Sequence, residues 1–227
     1  MIEVEKKAIA IDGPSGAGKS TLARALAKKL GYLYVDTGAI YRTVGLAARR
    51  SGTDPHDAAA VAALLPGLKI ELGYGEDGLQ RMYLDGEDVS AAIREPEISL
   101  YASAVSAIPV VRTFLMEQQR SLARTHCVIM DGRDIGTVVL PDADLKIFLT
   151  ASSEARARRR WKELQEKGMD EPYEKVLAEI VERDRQDTTR AAAPLRQAED
   201  AVAVDTTEYD LEESLDLLLN LVKETLS

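Results

Sequence analysis

Gly13-Pro14-Ser15-Gly16-Ala17-Gly18-Lys19-Ser20 fits the phosphate-loop pattern G-x-x-x-x-G-K-[ST]. Ahead of it runs a short apolar segment, Ala8-Ile9-Ala10-Ile11, ending in Asp12. Behind it Leu22, Leu26 and Leu30 recur at helical spacing, and Gly31 follows as a helix stop. The motif therefore sits between a strand and a helix N-terminus. From Gly13 through Thr21 the backbone N–H groups can converge on phosphate oxygens, and the helix dipole favours that charge. Lys19 can reach the β/γ-phosphates and the Ser20 hydroxyl can ligate Mg²⁺. ATP or GTP binding follows from the motif; the fate of the γ-phosphate does not.

The chain has 227 residues, which suits one α/β domain with an insertion, or a large and a small domain. Hydrophobic residues make up 45%, enough for a real core, and with only 5% aromatics that core must be aliphatic. A net charge of −9 argues against a nucleic-acid or membrane-surface binder. Cys127 is the one cysteine, so no intramolecular disulfide forms, and its apolar neighbours suggest a core position. His56 and His126 lack metal-ligand company. No apolar run approaches the ~18 residues of a membrane span, and Glu3, Glu5, Lys6 and Lys7 do not suit a signal peptide. The expectation is a cytoplasmic protein without nucleic-acid or membrane partners, and a monomer.

The chain reads as strand 8–11, helix 19–30 and a second strand, Tyr32-Leu33-Tyr34-Val35: a βαβ unit with parallel strands. Helices follow at 39–50 and 57–65. At Leu68 the pattern changes to strand-like alternation, and residues 68–90 read as a small antiparallel sheet inserted in a parallel frame. Helices at 98–108 and from Pro109 to about Arg124 lead back to continuous apolar strands at 127–131 and 145–149. Ser153 is expected to cap a helix to Lys167, and a second helix carries Val176, Leu177, Ile180 and Val181 on one stripe. A strand at 201–205 precedes a last helix that opens with Asp210 and Glu213 in capping-box spacing, its apolar face Leu211, Leu215, Leu218, Val222 and Leu226.

Three clusters carry chemistry. Asp131 ends an apolar strand and resembles a Walker B carboxylate for Mg²⁺, followed by Arg133 and Asp134 at the strand's carboxyl end, where such sheets bind ligands. Arg156, Arg158, Arg159 and Arg160 share one helix, and Arg183, Arg185, Asp187 and Arg190 lie at the end of the next. Two arginine groups joined by a hairpin that bends at Gly168 read as a lid closing over phosphates. In Asp36-Thr37-Gly38-Ala39-Ile40-Tyr41-Arg42, Arg42 can pair bidentately with a phosphate, while Tyr41 can equally be core.

Absences narrow the reaction. There is no H-R-D-x₄-N loop of a protein kinase and no Asn-Lys-x-Asp guanine reader. No acid/base dyad stands out. A phosphate acceptor explains that lack: its second pKa is near ~6, so at neutral pH it is largely the dianion and needs no base. The protein then has to align two anions and offset their repulsion.

Together these stretches resemble the bacterial cytidylate kinases, within the nucleoside monophosphate kinases. The resemblance rests on IAIDGPSGAGKST, YVDTGAIYR, LDGEDVSAAIR, MDGRDIGTVV, KIFLTASSEARARRR and ERDRQDTTRAAAPL and covers nearly the whole chain. It implies transfer of the ATP γ-phosphate to CMP or dCMP on a P-loop α/β fold: a five-stranded parallel sheet flanked by helices, an inserted antiparallel region and a helical lid. On that basis residues 1–66 and 111–227 form the core, with a lid at about 154–190, and 67–110 the acceptor insertion. The resemblance also implies site roles. Thr37, Tyr41 and Arg42 would hold the acceptor's phosphate end. Ser103, Arg112, Arg133 and Asp134 would surround cytosine and phosphate, Asp187 would meet the sugar, and Arg183 and Arg190 the phosphates. Lys19, Arg133, Arg159 and Arg183 are the expected catalytic cations, and Ser20 and Asp131 the Mg²⁺ ligands. An Asp accepting from cytosine N4, with Arg and Ser donating to N3 and O2, matches that edge, whereas uracil sets a carbonyl against the carboxylate. A UMP or shikimate kinase, or an ATP-hydrolysing regulatory switch, are the alternatives.

Overall fold

The computed structural model describes residues 6–226; Glu3 and Glu5, whose charge counted against a signal peptide, lie outside them. In chain order the elements begin with β1 (Ala8–Asp12), α1 (Lys19–Leu30), β2 (Leu33–Asp36), α2 (Thr37–Arg50) and α3 (Ala58–Leu64). Next come β3 (Ile70–Tyr74), β4 (Gln80–Leu84), β5 (Glu87–Asp88), α4 (Pro96–Ser106) and α5 (Pro109–Thr125). The chain ends with β6 (Val128–Gly132), β7 (Leu145–Thr150), α6 (Ser153–Glu166), α7 (Tyr173–Thr189), β8 (Val202–Asp205) and α8 (Leu211–Leu226). Two compact units result. One takes the chain up to Tyr34 and from Thr125 onward; the other is Val35–Arg124. The expected insertion, 67–110, lies inside the second.

The parallel sheet runs β2-β6-β1-β7-β8. β1 pairs in parallel with β6 and β7, so the chain leaves β1 at the point where the strand order reverses, and the carboxyl end there is the ligand-binding end of such sheets. Ile9, Ala10 and Ile11 are fully buried, and Ile11 packs with Leu22, Leu26, Ile129, Ile147 and Leu218. That is why these strands read as continuous apolar runs rather than alternating ones. β8 differs: it is an edge strand and Val202 is exposed.

Hairpin α6–α7 has a core of its own: Ala157, Leu164, Val176 and Ile180, with Trp161 and Tyr173 meeting edge-to-face at 6.5 Å. Val181 does not join that stripe but faces solvent, as does Leu211 at the start of α8. The cap of α6 is Ser152, not Ser153: its hydroxyl accepts the Ala155 N–H at 3.2 Å, three residues on, where a capping side chain reaches. The capping box of α8 forms as read, Asp210 N–H to Glu213 and Glu213 N–H to Asp210, both at 2.9 Å. Cys127 is half-buried and accepts from the Lys7 N–H.

In the second unit β3, β4 and β5 form the antiparallel sheet, with Ile70 opposite Leu84 and Tyr74 opposite Gln80. α2 lies against α4 so closely that a Cβ on Gly45 would stand 2.9 Å from the Ala102 nitrogen. α4 starts two residues before the apolar pattern because Pro96 fits the first helical turn.

Candidate active site

The phosphate loop leads from β1 into α1. Gly18 is the N-cap, in a left-handed conformation, and no side chain caps the helix, so its first N–H groups face the loop. Lys19 is buried, and its Nζ donates to the Pro14 carbonyl at 2.6 Å. Burial, then the nearby Arg133 charge, pulls its pKa well below the usual lysine value against the carboxylates of Asp131, Asp12 and Asp187.

Asp131 is buried at the end of β6 and held on both oxygens: Oδ2 accepts the Ser20 hydroxyl and Oδ1 the Tyr34 hydroxyl, each at 2.8 Å. Arg24 lies over the Tyr34 ring at 5.7 Å. Ser20 and Asp131, the two expected Mg²⁺ ligands, thus lie in contact. Two adjacent hard oxygen donors fit Mg²⁺, which keeps several waters and takes one or two protein ligands beside phosphate oxygens.

Asp12 shapes this end of the sheet, a role the sequence did not assign to it. Its carboxylate accepts the Ile135 and Gly136 N–H groups at 2.8 and 2.7 Å, tying β1 to the segment after Asp134. That segment, read from sequence as a loop, is one π-helical turn, Ile135–Val139. Burial pushes the Asp12 pKa up to about 6, against the lowering by those N–H groups. The only sequence signal was a carboxylate directly after a fully apolar strand.

Beyond β6 a cluster of alternating charge forms. Arg133 Nε donates to Asp187 Oδ2 at 2.7 Å, Arg190 Nε donates to the Ala193 carbonyl, and Arg190 Nη2 stands 3.6 Å from Asp134 Oδ1. Burial raises the Asp187 pKa, but Arg133, then Arg183 and Arg190, outweigh it and hold the carboxyl below its ordinary value. Asp134 and Asp187 are buried. Sequence positions 54 residues apart are brought together here.

The arginines of α6 diverge. Arg156 is buried; its guanidinium donates to the carbonyls of Ala151 and Ser15 and pairs with both oxygens of Asp184, at 3.0 and 2.6 Å. Its stem packs beside Gly16, where a Cβ would lie 3.3 Å from Arg156 Cβ. Arg159 donates to the Thr206 and Tyr209 carbonyls, on the turn after β8. Arg160 pairs with Glu163 and is exposed, as is Arg158. The block is therefore not one face: Arg156 ties the hairpin to the phosphate loop and Arg159 ties it to the turn after β8.

In the second unit, Thr37 is buried at the start of α2. Asp36 caps that helix and its Oδ2 accepts from Arg42 Nη2 at 2.8 Å. Arg42 Nε is buried without a hydrogen-bond partner among the described residues, a donor available to an anion. The Arg112 guanidinium lies 5.6 Å over the Tyr41 ring, so Tyr41 is buried and engaged by a cation at once. Ser103 is half-buried on α4.

A parallel sheet whose first strand runs into a phosphate loop at the reversal point, with a strand-end carboxylate on the loop's Ser20, defines a P-loop fold of the kind that handles nucleoside triphosphates. Within that class the chain belongs to the cytidylate kinase family, whose model matches residues 9–224. It is 52% identical over 218 residues to a cytidylate kinase of Caldicellulosiruptor bescii, covering 96% of each chain. It is 50% identical over 216 residues to a cytidylate kinase of Geobacter sulfurreducens, covering 95% of this chain and 92% of that one. Among solved structures, a shikimate kinase from Bacteroides thetaiotaomicron aligns over 96% of this chain and 98% of that one, at a TM-score of 0.46 and 16% identity. Among the described residues, no single helix is long and apolar enough to cross a membrane.

Proposed function

We propose that the protein is a nucleoside monophosphate kinase that transfers the γ-phosphoryl group of ATP to CMP and dCMP. Membership of the cytidylate kinase family along nearly the whole chain carries this reading. The phosphate loop binds the donor, with Lys19 on the β/γ-phosphates. Arg42 and Thr37 take the acceptor's phosphate end, Ser103, Arg112, Arg133 and Asp134 its base and phosphate, and Asp187 its sugar. Arg183 and Arg190 add positive charge for the phosphates.

The acceptor phosphate, with a second pKa near ~6, attacks in line as the dianion. No general base is needed, and catalysis is alignment plus charge compensation. Arg133, held on Asp187, is oriented before substrate arrives. Ser20 and Asp131 would hold Mg²⁺, which neutralises charge on the β/γ-oxygens when bound. The α6–α7 hairpin, with its own core, would act as a lid over about 154–190 that excludes water, and its movement would have to release Arg156 from the Ser15 carbonyl and Arg159 from the turn after β8. Residues 67–110 form the acceptor insertion. A monomer in the cytoplasm completes the proposal.

Cytosine N4 donates and N3 and O2 accept, so Asp134 as acceptor with Arg and Ser donors favours it over uracil. ADP release is measured with CMP, dCMP, UMP, AMP and shikimate as acceptors. Turnover with CMP and dCMP well above the others is expected. Acceptor-independent ADP release, or preference for UMP or shikimate, refutes the reading.

A further inference from the structure

Among the described residues β2 is an edge strand of the parallel sheet, so the outer N–H and C=O groups of its residues have no neighbouring strand there to pair with. At Asp36, its last residue, one side chain does that work. Gln80 Oε1 accepts the Asp36 N–H at 2.7 Å, and Gln80 Nε2 donates to the Asp36 carbonyl at 3.2 Å. An amide carries an acceptor and a donor side by side, as the peptide of an adjacent strand would. Gln80 is the first residue of β4, so the small antiparallel sheet reaches Asp36 through this contact.

Asp36 passes the constraint on. Its Oδ1 accepts the Ala39 N–H at 2.9 Å and starts α2, while Oδ2 takes Arg42 Nη2 at 2.8 Å. A Cβ on Gly38 would stand 3.1 Å from Asp36 Oδ1 and 3.2 Å from Arg42 Nη1, so the ion pair lies tight against bare backbone. The backbone of Asp36 therefore fixes where its carboxylate sits, and the carboxylate fixes which way Arg42 points. Arg42 Nε is left buried and unpartnered among the described residues. A donor held in that state is set for an anion, and a small rotation of Asp36 would misalign it.

We propose that Gln80 is a positioning residue for the acceptor phosphate: by clamping the backbone of Asp36 it orients the Asp36–Arg42 pair. This rests on the reading that Arg42 holds the acceptor phosphate. Gln80 does not touch substrate. It links the inserted sheet to the acceptor site, and it gives that sheet a role in acceptor affinity rather than in donor binding.

The test is steady-state kinetics of Gln80→Ala, Gln80→Glu, Arg42→Ala and the Gln80→Ala/Arg42→Ala double variant, with CMP and ATP each varied. Gln80→Ala is expected to raise the CMP KM about tenfold, which is about 1.4 kcal/mol, with the ATP KM unchanged. Gln80→Glu keeps the acceptor and loses the donor, so it raises the CMP KM less and serves if Gln80→Ala does not fold. In the Arg42→Ala background Gln80→Ala adds less than about twofold, because its route to substrate is already cut. An unchanged CMP KM in the folded Gln80 variant overturns the proposal. So does a parallel rise in the ATP KM, or a full Gln80 effect in the Arg42→Ala background. An Arg42→Ala variant with a normal CMP KM instead overturns the assignment of Arg42, whatever Gln80 does.

Discussion

Replacing Gly13 with Ala tests the junction between β1 and the phosphate loop. Gly13 has φ of 150°, a conformation that L side chains rarely adopt. A Cβ there would lie 1.9 Å from the Leu149 carbonyl oxygen and 3.0 Å from its carbon, both backbone atoms of β7. Carbon and oxygen approach no closer than about 3.3 Å, so about 1.4 Å must open between β1 and β7. The strained backbone costs about 1–3 kcal/mol. Opening the sheet at the Asp12–Phe148 rung sacrifices about two ladder hydrogen bonds, about 1 kcal/mol each. The sum is roughly 3–5 kcal/mol, a large share of the 5–15 kcal/mol typical of a domain, and lowers Tm by about 6–20 °C. Gly31 is the control. Its φ is 69°, but nothing lies within 4 Å of its would-be Cβ, so Gly31→Ala costs only the left-handed backbone, about 1–2 kcal/mol. Urea unfolding of both variants measures the difference, and the ATP KM of Gly13→Ala is expected to rise at least about tenfold as the loop is displaced. Equal losses in the two variants, or a stable Gly13→Ala protein with a normal ATP KM, refute the reasoning.

The remaining predictions concern three carboxylates. Asp134→Ala lowers the CMP-to-UMP ratio of kcat/KM by about tenfold or more and leaves the ATP KM alone; unchanged discrimination removes Asp134 from the base site. Asp131→Asn raises the Mg²⁺ concentration for half-maximal rate by about 10- to 100-fold, read from a Mg²⁺ titration at saturating nucleotides; an unshifted titration rules it out as a ligand. Asp12 is pushed up to about 6 from 3.8, so the folded protein keeps a proton that the unfolded chain has released. Its stabilising contribution is whole below about pH 4 and is lost as pH rises through about 6, by about 3 kcal/mol. Asp12→Asn cannot titrate, so its stability relative to the unsubstituted protein improves over that window; parallel urea-stability curves contradict it.

Local signals were enough for the elements around the phosphate loop. The run Ala8–Ile11, the spacing of Leu22, Leu26 and Leu30, and the glycines between them place strand, loop and helix, because apolar periodicity and backbone freedom act within a few residues. The turn at Ile135–Val139 was not legible, because two N–H groups there are held by Asp12, 123 and 124 residues away. The same holds for the α6 arginines. Four in five positions looked like one cationic surface, yet Arg156 turns inward to Ser15 and Asp184 while Arg160 stays in solvent. Helical spacing gives each side chain a direction, but which partner it meets depends on what is packed there.

By itself the sequence determined a parallel α/β protein with a phosphate-loop motif at Gly13 to Ser20, and its motifs carried the resemblance to cytidylate kinases. Those conclusions need only short-range pattern and the fixed geometry of backbone N–H groups around a phosphate. The tertiary structure decided which long-range contacts form: Tyr34 and Ser20 on Asp131, Arg133 on Asp187 and the turn at Ile135–Val139 on Asp12 in the first unit, and Gln80 on Asp36 in the second. Each is a hydrogen bond between residues far apart in sequence. No propensity or period encodes such a pair, because its energy exists only once the folded chain has brought both partners out of water.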